Sequence, residues 1–314
     1  MTKHPIEAKE LAISIVMTTL ILSVLGFLAI YSSSSITAYQ KFGDSFFYAR
    51  KQIISTAIGL VLILICIKMP ENWLHKLILP GMVISFGLLV LTLIPAFQVK
   101  ANGASRWIRL FGFTFQPCEL AKLSLVLFMA KNLSRPRFNI ENPWSAVIPT
   151  TIAFAMFATV LMLQPDLGTT VLLFLVLSIM LFSAGLNLRY FVASFLLGFA
   201  ALCFAIYQAP YRMARLVSFL NPWEDAQNSG FQIIQSYLGF QNGELFGLGI
   251  GESKQKLFFL PEAHTDFILS VIGEELGFVG VGLIIACFTY LVWLGFQVVR
   301  QHHLPLLDAG CFAI

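Results

Sequence analysis

Leu11-Ala12-Ile13-Ser14-Ile15-Val16-Met17-Thr18-Thr19-Leu20-Ile21-Leu22-Ser23-Val24-Leu25-Gly26-Phe27-Leu28-Ala29-Ile30-Tyr31 carries no charged side chain. As a helix rising 1.5 Å per residue, this run reaches across about 30 Å of hydrocarbon. Lys3 and Lys9 precede it. A cleavable signal would have a shorter apolar core followed by small residues. The stretch therefore reads as an uncleaved first membrane helix.

The same pattern recurs at roughly Gln52–Ile67, Leu77–Phe97, Val147–Leu163, Leu167–Leu186, Tyr190–Tyr207 and Leu276–Val299. An eighth run, roughly Glu119–Leu133, is shorter and carries Lys122, so it must face protein or water on one side. Backbone amides in hydrocarbon need internal partners, which makes the spans helices. The runs are too continuous for a membrane β-barrel. The fold expected is an all-α polytopic membrane protein with about eight spans, in one membrane domain over residues 1–314. Composition agrees: 58% of residues are hydrophobic and 11% charged, far below the roughly 25% charged residues of soluble domains.

Net charge is +4 and no basic run forms a nucleic-acid patch, so nucleic acid is not an expected partner. The five cysteines are scattered, mostly within apolar runs, without metal or disulfide spacing. No internal repeat of the transporter kind is visible. Lys and Arg counts do not orient the chain: nine fall on the side of the N-terminus and eleven on the other. The larger number on the opposite face suggests an anionic ligand held there.

Residues from about 209 to 266 form the longest polar segment, rich in Gly and in charge. Loops of this length in a compact protein are usually functional or disordered. Phe231, Ile234, Leu238, Leu245, Phe258 and Leu260 argue for order against the membrane surface.

Four polar clusters interrupt the apolar chain: Asn102–Ile108 with Arg106 and Trp107; Phe115–Lys122 with Glu119 and Lys122; Gln164–Thr169 with Asp166; and Leu260–Ile268 with His264 and Asp266, followed by Gly273-Glu274-Glu275-Leu276-Gly277. Glu119, Asp166 and Asp266 lie near prolines at the edges of apolar runs, where a carboxylate can simply cap a helix. A carboxylate at the rim of an apolar cavity can instead act as a general base. Arg50, Lys122 and Arg215 could hold a pyrophosphate. Group transfer from a pyrophosphate-linked lipid and proton relay in a transporter both fit these residues.

Taken in order, with Asn221-Pro222-Trp223-Glu224-Asp225 and Ser229-Gly230-Phe231-Gln232 in the loop, the clusters resemble the SEDS family of bacterial cell-envelope proteins. The wording of the loop is nearer to the family's division members than to its elongation members. The resemblance runs from the first helix to the end of the chain. It implies a ten-helix fold with cytoplasmic termini and a large extracytoplasmic loop after the seventh helix. It also implies a peptidoglycan glycosyltransferase that polymerises lipid II with loss of undecaprenyl pyrophosphate. The expected location is the bacterial inner membrane at the division septum. The partners implied are a class B penicillin-binding protein and other divisome membrane proteins.

Carried over by position, the family's essential aspartate falls on Asp266, the general base, with Glu119 and Lys122 lining the central cavity. Arg50, Arg106, Trp107, Arg215, Gln235, Ser236 and His264 are the expected substrate-binding residues. Gln164, Asp166 and Glu275 are motif residues with a structural role. A divalent cation bridging pyrophosphate oxygens is chemically compatible, and no ligand cluster identifies one. Cys118 stands where the family usually has Ser. The chain ends at Ile314, after Asp308-Ala309-Gly310-Cys311, and the family's last two helices are expected to be missing. A lipid II flippase and a non-catalytic divisome scaffold are the alternative functions.

Overall fold

The computed structural model describes residues 8–101, 104–110, 113–134, 144–228, 230–256 and 263–302. Of the residues singled out above, Asn102, Gly103, Ser229, Phe258, Leu260, Pro261, Glu262 and Asp308–Cys311 lie outside them. In chain order the elements are α1 (Ala8–Phe42), α2 (Phe47–Lys68), α3 (Glu71–Leu91), β1 (Gln98–Ala101), β2 (Ala104–Leu110), β3 (Phe113–Phe115), α4 (Pro117–Leu133), α5 (Trp144–Leu163), α6 (Leu167–Ser183), α7 (Leu188–Tyr207), α8 (Pro210–Leu220), a 3₁₀ turn (Pro222–Asp225), α9 (Phe231–Gly243) and α10 (Ile268–His302).

All eight expected spans fall on helices. Among the described residues, α1, α2, α3, α7 and α10 are long and apolar enough to cross a membrane, and α5 and α6 contribute shorter apolar helices. The apolar surface itself requires a lipid solvent. In α2, Leu62, Leu64, Ile65 and Ile67 are at least half exposed, and no residue of its apolar window is buried in protein. An apolar stripe of this size facing water would be an aggregation surface. This is a multi-pass membrane protein.

One departure from the helical expectation lies between α3 and α4. The third expected span was to run to Phe97, but α3 ends at Leu91, and the chain turns through Thr92 into a three-stranded antiparallel sheet ordered β1-β2-β3. Gln98 pairs with Ile108 and Val99 with Trp107; the register then shifts so that Lys100 faces Ser105. The signal for it was present. Asn-Gly, here Asn102-Gly103, is among the strongest hairpin dipeptides.

The chain divides into two compact units, each described by itself: residues 1–68 with 205–298, and residues 69–204 with 299–314. In the second unit α4 is central, packed on α3, α5 and α6. Its core contains Leu89, Leu125, Met129, Phe157, Leu161, Leu173 and Met180.

The first unit is organised by a break in α10. Gly277 has φ +67° and ψ −169°, so the helix is interrupted there. The peptide groups freed at the break pair with the segment that follows α9. Phe278 N donates to Glu244 O (2.9 Å) and Val279 N to Leu245 O (3.1 Å); Leu248 N and Gly249 N donate to Glu274 O (2.9 Å) and Glu275 O (3.0 Å). Such non-helical backbone is tolerated at membrane depth only where protein satisfies it. The two segments touch through glycines. A Cβ on Gly277 would stand 2.4 Å from Gly247 N, and one on Gly243 would stand 1.9 Å from Gly273 O.

Gly277→Ala therefore meets both a left-handed backbone and a backbone clash. It should destabilise the protein by about 2 kcal/mol or more. The thermal unfolding midpoint in detergent should fall, while Gly282→Ala, which meets nothing within 4 Å, leaves it in place.

Candidate functional site

In the first unit, Asp266 is exposed in a turn two residues before α10. No hydrogen bond or ion pair engages its carboxylate among the described residues, so it does not cap α10. His264 is half-buried, and its ring lies 4.4 Å from that of Tyr48 on α2, centroid to centroid.

The expected cations of this unit differ in their engagement. Arg50, near the start of α2, is exposed and pairs with Asp44, itself one-third exposed. Arg215 lies exposed on α8, with no ion pair among the described residues. Gln235 and Ser236 are half-buried on α9. Ser236 O accepts from Ser270 Oγ at 3.0 Å, so this pair abuts the first turn of α10.

Sequence reasoning gave Glu275 a structural role and did not single out its neighbours. Glu274 and Glu275 are both buried, and each anchors residues of the preceding loop. Glu274 Oε2 accepts from Ser253 Oγ (2.5 Å) and Gln255 N (3.1 Å), and its Oε1 from Asn242 Nδ2 (3.2 Å). Glu275 pairs with buried Lys256 and accepts from Ser32 on α1. The available signals were two adjacent carboxylates before a Gly-interrupted span and the Ser32–Ser35 run inside an apolar helix.

In the second unit, Glu119 and Lys122 pair with each other one turn apart on α4, at 2.8 Å. Cys118 is buried beside them, and its Sγ accepts from Gln116 Nε2 at 3.1 Å. Asp166 is the N-cap of α6: Thr169 N donates to Oδ1 at 3.3 Å, and the Thr169 hydroxyl to Oδ2 at 2.8 Å. Arg106 on β2 lies 3.7 Å from Asp166 Oδ1 and donates to Pro165 O at 2.8 Å. Its neighbour Trp107 is half-buried across from Val99. Gln164 is buried and braces the end of α3, its Nε2 donating to Leu89 O (3.0 Å) and Thr92 Oγ1 (2.6 Å).

A polytopic helical fold whose long apolar helices face lipid defines a multi-pass membrane protein. Residues 12–312 match the family model of the FtsW, RodA and SpoVE cell cycle proteins, and the chain belongs to that family. It is 41% identical over 278 residues to the probable peptidoglycan glycosyltransferase FtsW of Geobacter sp. (strain M18), covering 88% of this chain and 76% of that one. It is also 41% identical over 289 residues to the stage V sporulation protein E of Bacillus subtilis (strain 168), covering 90% and 78%. Among solved structures it is similar to one described as the structural coordination of polymerization and crosslinking by a peptidoglycan synthase complex. That match has a TM-score of 0.73 and 28% identity, covering 95% of this chain and 80% of that one. The rod shape determining protein RodA of Thermus thermophilus matches with a TM-score of 0.65 and 26% identity, covering 95% and 79%.

Asp166→Ala removes both the cap of α6 and the partner of Arg106. It should lower stability by about 1 kcal/mol, a typical cap loss. Asp166→Asn keeps an acceptor for Thr169 N and should recover most of the thermal midpoint, measured on the purified protein in detergent.

Proposed function

We propose that this chain is a peptidoglycan glycosyltransferase that polymerises lipid II into glycan strands, the activity named for its FtsW relatives. The observation that carries the chemical reading is the exposed carboxylate of Asp266, two residues before α10, which has no partner among the described residues. Asp266 takes the proton from the acceptor sugar 4-hydroxyl. That oxygen attacks the donor anomeric carbon as the bond to the pyrophosphate oxygen breaks, and undecaprenyl pyrophosphate leaves with the bonding electrons. Arg215 is a cation available to the leaving group. Arg50 can exchange Asp44 for it, because an exposed pair is worth little. In the first unit Gln235, Ser236 and His264 are the proposed substrate contacts; in the second, taken by itself, Arg106 and Trp107 are. The Glu119–Lys122 pair supplies charge on the other unit.

A divalent cation would neutralise pyrophosphate charge if bound. Among the described residues, no three His, Cys, Asp or Glu side chains converge. The proposed partner is a class B penicillin-binding protein that crosslinks the strands. The polymerization and crosslinking complex among the similar structures supports this pairing. The proposed setting is the inner membrane at the division septum, beside other divisome proteins, with residues 209–266 outside the cytoplasm.

In lipid II polymerisation by the complex with its penicillin-binding protein, the parent should produce glycan strands. Asp266→Ala should reduce the rate about a hundredfold or more, the usual worth of a general base. Equal polymer from the alanine variant would remove Asp266 from the chemistry. Labelled lipid II crossing vesicles without polymer would point to a flippase. Partner binding with neither activity would point to a scaffold.

Gln241, exposed near the end of α9, reports the orientation. A Gln241→Cys variant should react with a membrane-impermeant thiol reagent applied from outside the cytoplasmic membrane. Protection there, with labelling only after lysis, would reverse the topology.

A further inference from the structure

Asp266 lies ten residues after Lys256 and nine before Glu275, and those two residues form a buried ion pair. Lys256 Nζ stands 2.8 Å from Glu275 Oε1, with the two side chains only 5% and 6% exposed. Ser32 of α1 completes the cluster. Its hydroxyl is shared between Glu275 Oε1 (2.7 Å) and Oε2 (2.8 Å), and it accepts from Lys256 Nζ at 3.2 Å. The adjacent Glu274 binds Ser253 Oγ and the amide of Gln255. Two neighbouring carboxylates at the break of α10 thus hold Ser253, Gln255 and Lys256, which precede Asp266 in the chain.

We propose that Lys256, Glu274 and Glu275 are positioning residues that fix where Asp266 stands for the transfer; this rests on the glycosyltransferase reading. The backbone of the broken helix is already satisfied by residues 244–249, so the buried pair is not needed for that. Buried ion pairs contribute little net stability compared with well-packed apolar side chains, and their best attested use is to set register. With one partner displaced, the other is left charged and unpaired away from water, so alternative placements of the loop are strongly disfavoured. An exposed pair would impose no such choice. The second acidic clamp holds Ser253 and Gln255, and the Tyr48–His264 ring contact holds the chain two residues before Asp266. A shift of about 1 Å in a reacting group can reduce the rate about a hundredfold, so a tie at the base of the loop acts on turnover more than on binding.

The test uses the complex with its penicillin-binding protein and compares the parent with Lys256→Met, Glu275→Gln and the double variant Lys256→Met with Glu275→Leu. The single variants should lower the kcat of lipid II polymerisation about a hundredfold. Their KM should stay within about threefold. The double variant removes both charges, and should regain the parent's thermal midpoint but not its kcat. Spin labels at Tyr39→Cys on α1 and Thr265→Cys, with the native cysteines replaced, should give a narrow distance distribution in the parent. That distribution should broaden in each variant.

Recovery of kcat together with the midpoint in the double variant would reduce the cluster to a structural role. An unchanged distance distribution in the single variants would overturn the proposal outright. If a single variant fails to fold, the double variant still decides. A parent complex that makes no polymer sinks the enzymatic reading instead, and the distance widths report separately on the tie.

Discussion

A peptide group left unpaired in hydrocarbon costs several kcal/mol, and the first unit is arranged around meeting that cost at one point. α10 breaks at Gly277, and the amides and carbonyls freed there are taken up by Glu244–Gly249. This pairing brings the end of α9 against the head of α10. It also accounts for the glycines, because Gly243, Gly247 and Gly277 stand where no Cβ fits. Residues Glu244–Gly249 of the polar segment are thereby held by main-chain bonds.

The break has a second consequence for charge. Two carboxylates, Glu274 and Glu275, occupy the turn before it and are nearly inaccessible. A buried carboxylate needs partners, and each finds them in residues 253–256, with Ser32 of α1 added on Glu275. Ser33 and Ser34, in the same run, return their hydroxyls to carbonyls of their own helix. Only Ser32 of these three bonds away from α1. Against this tied background Asp266 is conspicuous as an acid with no partner among the described residues. The difference among these acids follows from their surroundings: Glu274 and Glu275, inside, hold residues 253–256, and Asp266, outside, is exposed.

In the second unit, polar residues at span edges serve the fold directly. Asp166 caps α6 and attracts Arg106 from β2, and Gln164 holds the end of α3. Asp166 and Gln164 were legible as motif residues, and capping was one of the two roles open to Asp166. The partnership of Arg106 with Asp166 was not legible. It joins residues 60 positions apart, and no local spacing encodes such a contact. The three-stranded sheet escaped for a different reason. Its strands are three to seven residues long, too short for a clear alternation beside long apolar runs, although Asn102-Gly103 marked the turn.

The sequence by itself determined the solvent, the helices and the family. Continuous apolar runs of membrane length admit no other backbone than helix, and ordered motifs identify a relative without reference to geometry. It also singled out Asp266, through the resemblance its neighbourhood carries. Only the tertiary structure decided that this aspartate is exposed with no partner among the described residues, and that Glu275 and Lys256, nine and ten residues away in opposite directions, meet each other in a buried pair. A side chain's burial and its distant partners depend on how helices pack and where one of them breaks, and periodicity along the chain does not record either.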